Sequence, residues 1–212
     1  MDWRGSSLSA GELPLTSLPR LRVAVFVDLQ NCYECARAAF HQPGDPSYLG
    51  NMDLAKLARL LAGKGAASFD LTFVGVYCGL ADPRLAPKTN SARMKQIRAW
   101  ERAGVTVFAR PLQYLRGLPP REKGVDVKLA IDIVMKAIED VYDLAIIASC
   151  DSDLNPAIDA LLELRDLNGK PDIAVIAWEG RKHNLGRPPA VPFRWIGKLD
   201  YRAIQDPTDY NR

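Results

Sequence analysis

At 212 residues the chain has the length of one domain with a substantial core, with or without tails. Its 48% hydrophobic and 25% charged residues are ordinary for a soluble globular protein, and no run approaches the roughly 20 apolar residues of a membrane span. The formal charge of +3 is too small to argue for a nucleic-acid partner by itself and does not oppose one, so local clustering matters more than the sum.

Residues 1–20 carry Gly5, Ser6, Ser7, Pro14 and Pro19 without periodicity or a continuous apolar core, and are read as a flexible tail with no secretory signal. Leu21 to Val27 is a β-branched, nearly continuous apolar run, suited to a strand covered on both faces. It ends at Asp28, and a helix is expected over Cys32–Phe40. Asp53 is placed to cap a second helix through about Leu61, with Leu54, Leu57, Ala58 and Leu61 as its apolar stripe. A second strand is expected over Leu71–Tyr77. The third helix is expected to be capped by Thr89, Asn90 or Ser91 and stopped by Gly104, and Val105–Ala109 is the third strand.

A basic, proline-containing loop follows, from Arg110 to Gly124. Val125 to about Glu139 reads as a helix that is apolar around most of its circumference, which predicts deep packing. Leu144–Ala148 is the fourth strand. Asn155 and Pro156 then provide a cap and first turn for a helix to about Leu167, and Ile173–Ala177 is the fifth strand. A basic loop runs through Arg181, Lys182, His183 and Arg187 before a short strand within Val191–Ile196. From residue 200 a polar tail is expected. Alternating strands and helices predict one α/β domain over residues 21–199, a mainly parallel central sheet between two helical layers.

Carboxylates gather where strands end. Asp28 closes the first strand, Asp151 and Asp153 follow the fourth, and Asp126 opens the helix before the fourth strand. In a parallel sheet the strand exits share one edge, where ligands bind, so these acids meet if the first and fourth strands are neighbours. An all-oxygen cluster is what Mg²⁺ or Mn²⁺ prefers, and such a cation activates water and stabilises the oxygens of phosphodiester cleavage. Any one of these Asp residues taken alone reads more simply as a helix cap or turn residue.

Three segments carry a resemblance: Val25-Phe26-Val27-Asp28-Leu29-Gln30-Asn31, Lys123-Gly124-Val125-Asp126 continuing through Asp132, and Ser149-Cys150-Asp151-Ser152-Asp153-Leu154. In order, spacing and context they resemble NYN-domain proteins, the LabA-like branch of the PIN-like ribonucleases, over about Arg22 to Ala177. The resemblance implies a three-layer α/β/α PIN-like fold and a divalent-metal ribonuclease acting on RNA. It implies Asp28, Asp126, Asp151 and Asp153 as catalytic, metal-binding acids holding Mg²⁺ or Mn²⁺, with Asn31, Ser149 and Asp132 in support. Asp132 lies about 120° from Asp126 on the helical wheel, which also suits a packing acid with a buried partner. Cys150 stands where many relatives have Gly. Arg121, Lys123, Ser152, Arg181 and Lys182 are placed to contact RNA, with Tyr114 or Trp178 available to stack bases.

Rival signals are thinner. A phosphatase of the haloacid-dehalogenase type resembles Asp-x-Asp at the first strand exit, where this chain has Gln30 in the third position. Gly63-Lys64-Gly65 lacks the spacing of a phosphate loop. Cys32 and Cys35 have thioredoxin-like spacing, yet core placement is the simpler reading, and no second Cys/His pair completes a zinc site. Arg93, Lys95, Arg98 and Arg102 suit a solvated helix face as well as a backbone-binding groove. Two function classes remain: a metal-dependent endoribonuclease, or a non-catalytic RNA-binding or assembly module that keeps the fold. A cytoplasmic setting, with RNA as partner, no membrane and room for a homo-oligomer, completes the expectation.

Overall fold

The computed structural model describes residues 20–66, 68–181, 185 and 191–212. Among these, six strands form one all-parallel sheet and six α-helices cover its two faces. The strands are β1 (Leu21–Asp28), β2 (Phe69–Leu80), β3 (Thr106–Pro111), β4 (Leu144–Ala148), β5 (Asp172–Trp178) and β6 (Phe193–Ile196). The helices are α1 (Leu29–Phe40), α2 (Leu54–Gly63), α3 (Pro87–Arg102), α4 (Val125–Ile138), α5 (Asn155–Asn168) and α6 (Lys198–Ile204). The expected three-layer α/β/α architecture is therefore present.

The sheet order is β3-β2-β1-β4-β5-β6, so the chain reverses its direction of travel between β1 and β4. The register there pairs Val27 with Ala148, which brings the two strand exits side by side. At the opposite end, Arg22 fixes the same pair: its guanidinium lies 2.6 Å from Asp143 Oδ1, and Asp143 N–H donates to Arg22 O.

Strand periodicity divides the core in two. Val23, Val25 and Val27 face a layer built by α1, α2, α3 and α6. Ala24 and Phe26 face the layer of α4 and α5, through Leu129, Ile133 and Leu161. The two-residue period continues to Asp28, which therefore falls on the α4 side, at the end of its strand.

Several boundaries differ from the sequence reading for identifiable reasons. Helix α1 begins at Leu29, directly after Asp28, whose side chain caps it. Helix α3 starts at Pro87 with no side-chain cap, so Thr89, Asn90 and Ser91 lie inside it. Proline's fixed φ initiates that helix. Helix α4 is not deeply packed all round: Val127, Ile131, Met135 and Ile138 are exposed, because an outer helix of a three-layer sandwich has only one face against the sheet. Where a polar tail was expected from residue 200, α6 buries Tyr201 and Ile204, and Ile204 O accepts from Asp53 N–H at 2.8 Å.

Leu129 is fully buried on α4, while Ile131 of the same helix is half exposed. We predict that Leu129→Ala costs about 2–5 kcal/mol in urea unfolding, and that Ile131→Ala stays within about 0.5 kcal/mol of wild type. Equal costs at the two positions would contradict this packing of α4.

Candidate acidic site at the strand exits

The stretch Ser149–Asp153 leaves β4 as a tight, hydrogen-bonded turn against the start of α1. Asp28 is the anchor. Its Oδ1 accepts from Asn31 N–H at 3.1 Å and its Oδ2 from the Ser149 hydroxyl at 3.0 Å. The Ser149 oxygen in turn accepts Asp151 N–H at 3.1 Å, and Asp151 Oδ1 accepts Asp153 N–H at 3.0 Å. Asn31 Oδ1 accepts Cys150 N–H at 2.7 Å, closing a second bridge between α1 and the turn. Ser149 is fully buried, so its hydroxyl is fixed by these two partners.

Burial raises the Asp28 carboxyl above its ordinary value of 3.8; the bonds from Asn31 and Ser149 oppose that shift, and the charges of Asp151 and Asp126 add to it. Three of the four expected acids therefore share one electrostatic neighbourhood. The fourth, Asp153, is exposed, on the short 3-10 turn Ser152–Leu154 that Asp151 caps. Asn155 does not cap α5 as expected; it is that helix's first residue, after Leu154. The capping burden on Asp151 thus remains, although one oxygen suffices for it.

Asp126 reaches the edge because Gly124, at φ 71, turns the chain in the left-handed region immediately before α4. Asp126 then sits in the helix's first turn, where its charge also suits the positive end of the helix dipole. Asp132 has the buried partners of a packing acid. It is buried, takes a 2.8 Å hydrogen bond from the Tyr77 hydroxyl, and pairs with Lys128 at 2.5 Å.

One acid at this edge went unread in the sequence. Glu122 lies between Arg121 and Lys123 in the basic loop, and its carboxylate accepts the backbone N–H of Gly79 at the exit of β2. Burial pushes Glu122 up, the Gly79 N–H opposes this, and Asp28 and Asp126 both act on it through space. Gly79 permits the approach: a Cβ there would stand 2.3 Å from Leu112 and 2.8 Å from Glu122 Oε1. The only hint in the sequence is an acid four residues before Asp126, masked by its basic neighbours.

Among the RNA-contact candidates, Arg121, Lys123, Ser152 and Arg181 are exposed, and Lys182 lies outside the described residues. Arg181 is close enough to act on the thiols of Cys35 and Cys150. Trp178 is fully buried in the α1/α6 layer, which removes it as a stacking platform. The core placement expected for Cys32 is present: it is fully buried and donates to Ala148 O at 2.8 Å, while the half-buried Cys35 donates to Asn31 Oδ1 at 3.7 Å.

A family model for the NYN domain matches residues 22–167. The chain belongs to the NYN domain family. The match spans all the acids described above. A crystal structure of a protein of unknown function from Vibrio parahaemolyticus is similar in fold, with a TM-score of 0.54 at 17% identity, covering 88% of this chain and 96% of the other. No curated protein matches the chain. Membership places the protein within the PIN-like nuclease superfamily, whose members generally use divalent metals.

The donor set of this NYN domain fits such a cation in its chemistry: the acids are oxygen ligands only, and Asp28 is a half-buried carboxylate on which two like charges act. They do not form a closed cage, since among the described residues no three His, Cys, Asp or Glu side chains group closely enough to hold a metal.

The raised Asp28 carboxyl has a stability consequence with a definite sign. Ionised Asp28 opposes folding at neutral pH, and the penalty lifts as pH falls through its raised folded value toward 3.8. Asp28→Asn, which keeps an acceptor, is therefore predicted to be more stable than wild type at pH 7 in EDTA. The gap should narrow on acidification. A variant less stable than wild type at pH 7 would refute this reading.

Proposed function

We propose that this NYN domain, of the LabA-like branch, is a divalent-metal-dependent endoribonuclease that hydrolyses RNA phosphodiester bonds at the β1/β4 edge. The observation that carries the reading is the link from Asp28 through the Ser149 hydroxyl to Asp151 at the adjacent β1 and β4 exits, with burial and the charges of Asp151 and Asp126 acting on Asp28. A chain that only bound RNA gains nothing from carboxylates facing phosphate.

In this reading Asp28, Asp126, Asp151 and Asp153 hold Mg²⁺ or Mn²⁺. When bound, the cation lowers the pKa of a water and offsets charge on the phosphate oxygens. Ser149 and Asn31 position Asp28 and the turn that carries Asp151, and Asp132 secures α4 through Tyr77 and Lys128. The exposed Arg121, Lys123, Ser152 and Arg181, with Lys182, take the phosphates flanking the scissile bond. RNA is then the partner and the cytoplasm the setting; no described helix is long and apolar enough to cross a membrane.

A second reading, the non-catalytic RNA-binding or assembly module, draws on the open spacing of the acids and on the apolar stripe Val127, Ile131, Met135 and Ile138 of α4. That stripe would also serve a homo-oligomer.

Cleavage of a labelled single-stranded RNA separates the two. Wild type is predicted to cut with Mg²⁺ or Mn²⁺ and to stop in EDTA. Asp28→Asn and Asp151→Asn should each lose at least about 10²-fold in rate, the scale of removing one electrostatic stabiliser. Undiminished cutting by both variants, or by wild type in EDTA, would exclude the mechanism. No cutting under any condition would favour the second reading.

A further inference from the structure

Beside the acids, a cavity of about 450 Å³ opens between α1, α3, the loop before α4 and the C-terminal segment. Its walls include Tyr33, Tyr48, Trp100 and Tyr210, together with Arg93 and Glu122. This volume lies in the range of small-molecule sites and exceeds what one base needs.

Arg93 is the unusual member. It stands on a helix whose other basic residues, Lys88, Lys95, Arg98 and Arg102, are exposed, but it lines the cavity and is half-buried, with burial lowering its pKa. It donates to Gln96 Oε1 at 3.0 Å and lies 6.0 Å from the Trp100 ring. Among the described residues it forms no ion pair. Arg93 is half-buried without a carboxylate partner, and four of its five N–H donors are left for another acceptor. Glu122 faces the same space: one oxygen holds Gly79 N–H, and the carboxylate and Arg93 act on each other through space without pairing.

We infer that this cavity takes a guanine base splayed out of the RNA strand, adjacent to the bond cut at the acidic edge. The inference rests on the ribonuclease reading above for the identity of the strand. Guanine presents acceptors O6 and N7 to an arginine fork, and its N1–H and N2 amino donors suit a carboxylate such as Glu122. The aromatic walls supply the stacking that single-stranded RNA recognition uses. A free phosphate fits less well, because Glu122 would repel it. Adenine offers Arg93 only N7 and presents an amino group where guanine has O6.

Calorimetric titration of the intact chain with 5′-GMP, 5′-AMP and inorganic phosphate, in EDTA so that no metal intervenes, tests the pocket without any cleavage. GMP should bind about tenfold or more tighter than AMP, and phosphate should not compete. Arg93→Met should lose the GMP binding, and Glu122→Gln should lose the preference over AMP. The wild-type selectivity stands independently of whether a variant folds. Equal affinity for GMP and AMP, or phosphate displacing GMP, would overturn the inference. So would RNA cleavage with no preference for guanosine by a protein that binds no GMP, and that result would leave the nuclease reading intact. GMP selectivity in a protein that cuts no RNA would sustain the pocket and remove the nuclease reading.

Discussion

The structure turns on one carboxylate held where a carboxylate is least comfortable. Asp28 ends the central strand, caps the helix that follows, receives the Ser149 hydroxyl, and is half-buried under the charges of Asp151 and Asp126. Each bond to it is also a bond that sets the edge: through Ser149 it fixes the turn after β4, and through Asn31 the same turn is tied again to α1. A neutral side chain would satisfy most of these contacts with less desolvation. That a charged one stands here, among like charges, is the physical reason to look for a cation.

The sheet makes the arrangement feasible. Because the order reverses between β1 and β4, their exits are adjacent and the helices after them diverge to opposite faces, leaving a crevice. Gly124 and Gly79 then admit contributions from outside the two strands. The first turns Asp126 into the edge, and the second lets Glu122 come down onto the backbone of β2. Glu122 lines the aromatic cavity and also feels the charges of Asp28 and Asp126, so it is the group that links the two.

Much of this was legible in the sequence, and the failures have physical causes. The apolar strand runs and the strand-end acids are local signals, and they located β1, β4 and the convergence of Asp28 with Asp151. The buried partner that suits a packing acid at Asp132 is Tyr77, on a strand distant in sequence, which no local pattern could reveal. Glu122 and Arg93 were hidden for the same reason: each sits among residues of basic character, and only the tertiary fold turns them inward. The apolar circumference of α4 was overread, since composition cannot tell a buried face from an exposed stripe. Trp178 was assigned to a binding surface that its strand position denies it, buried beneath α1 and α6.

The central claim is that Asp28 exists to hold a divalent cation together with its neighbours. Titrating Mn²⁺ into wild type and Asp28→Asn, with the free ion followed by electron paramagnetic resonance, tests this most directly. The account predicts a Mn²⁺ site in wild type that weakens at least tenfold in Asp28→Asn while the variant remains folded. Mn²⁺ binding of equal strength in both proteins would contradict it.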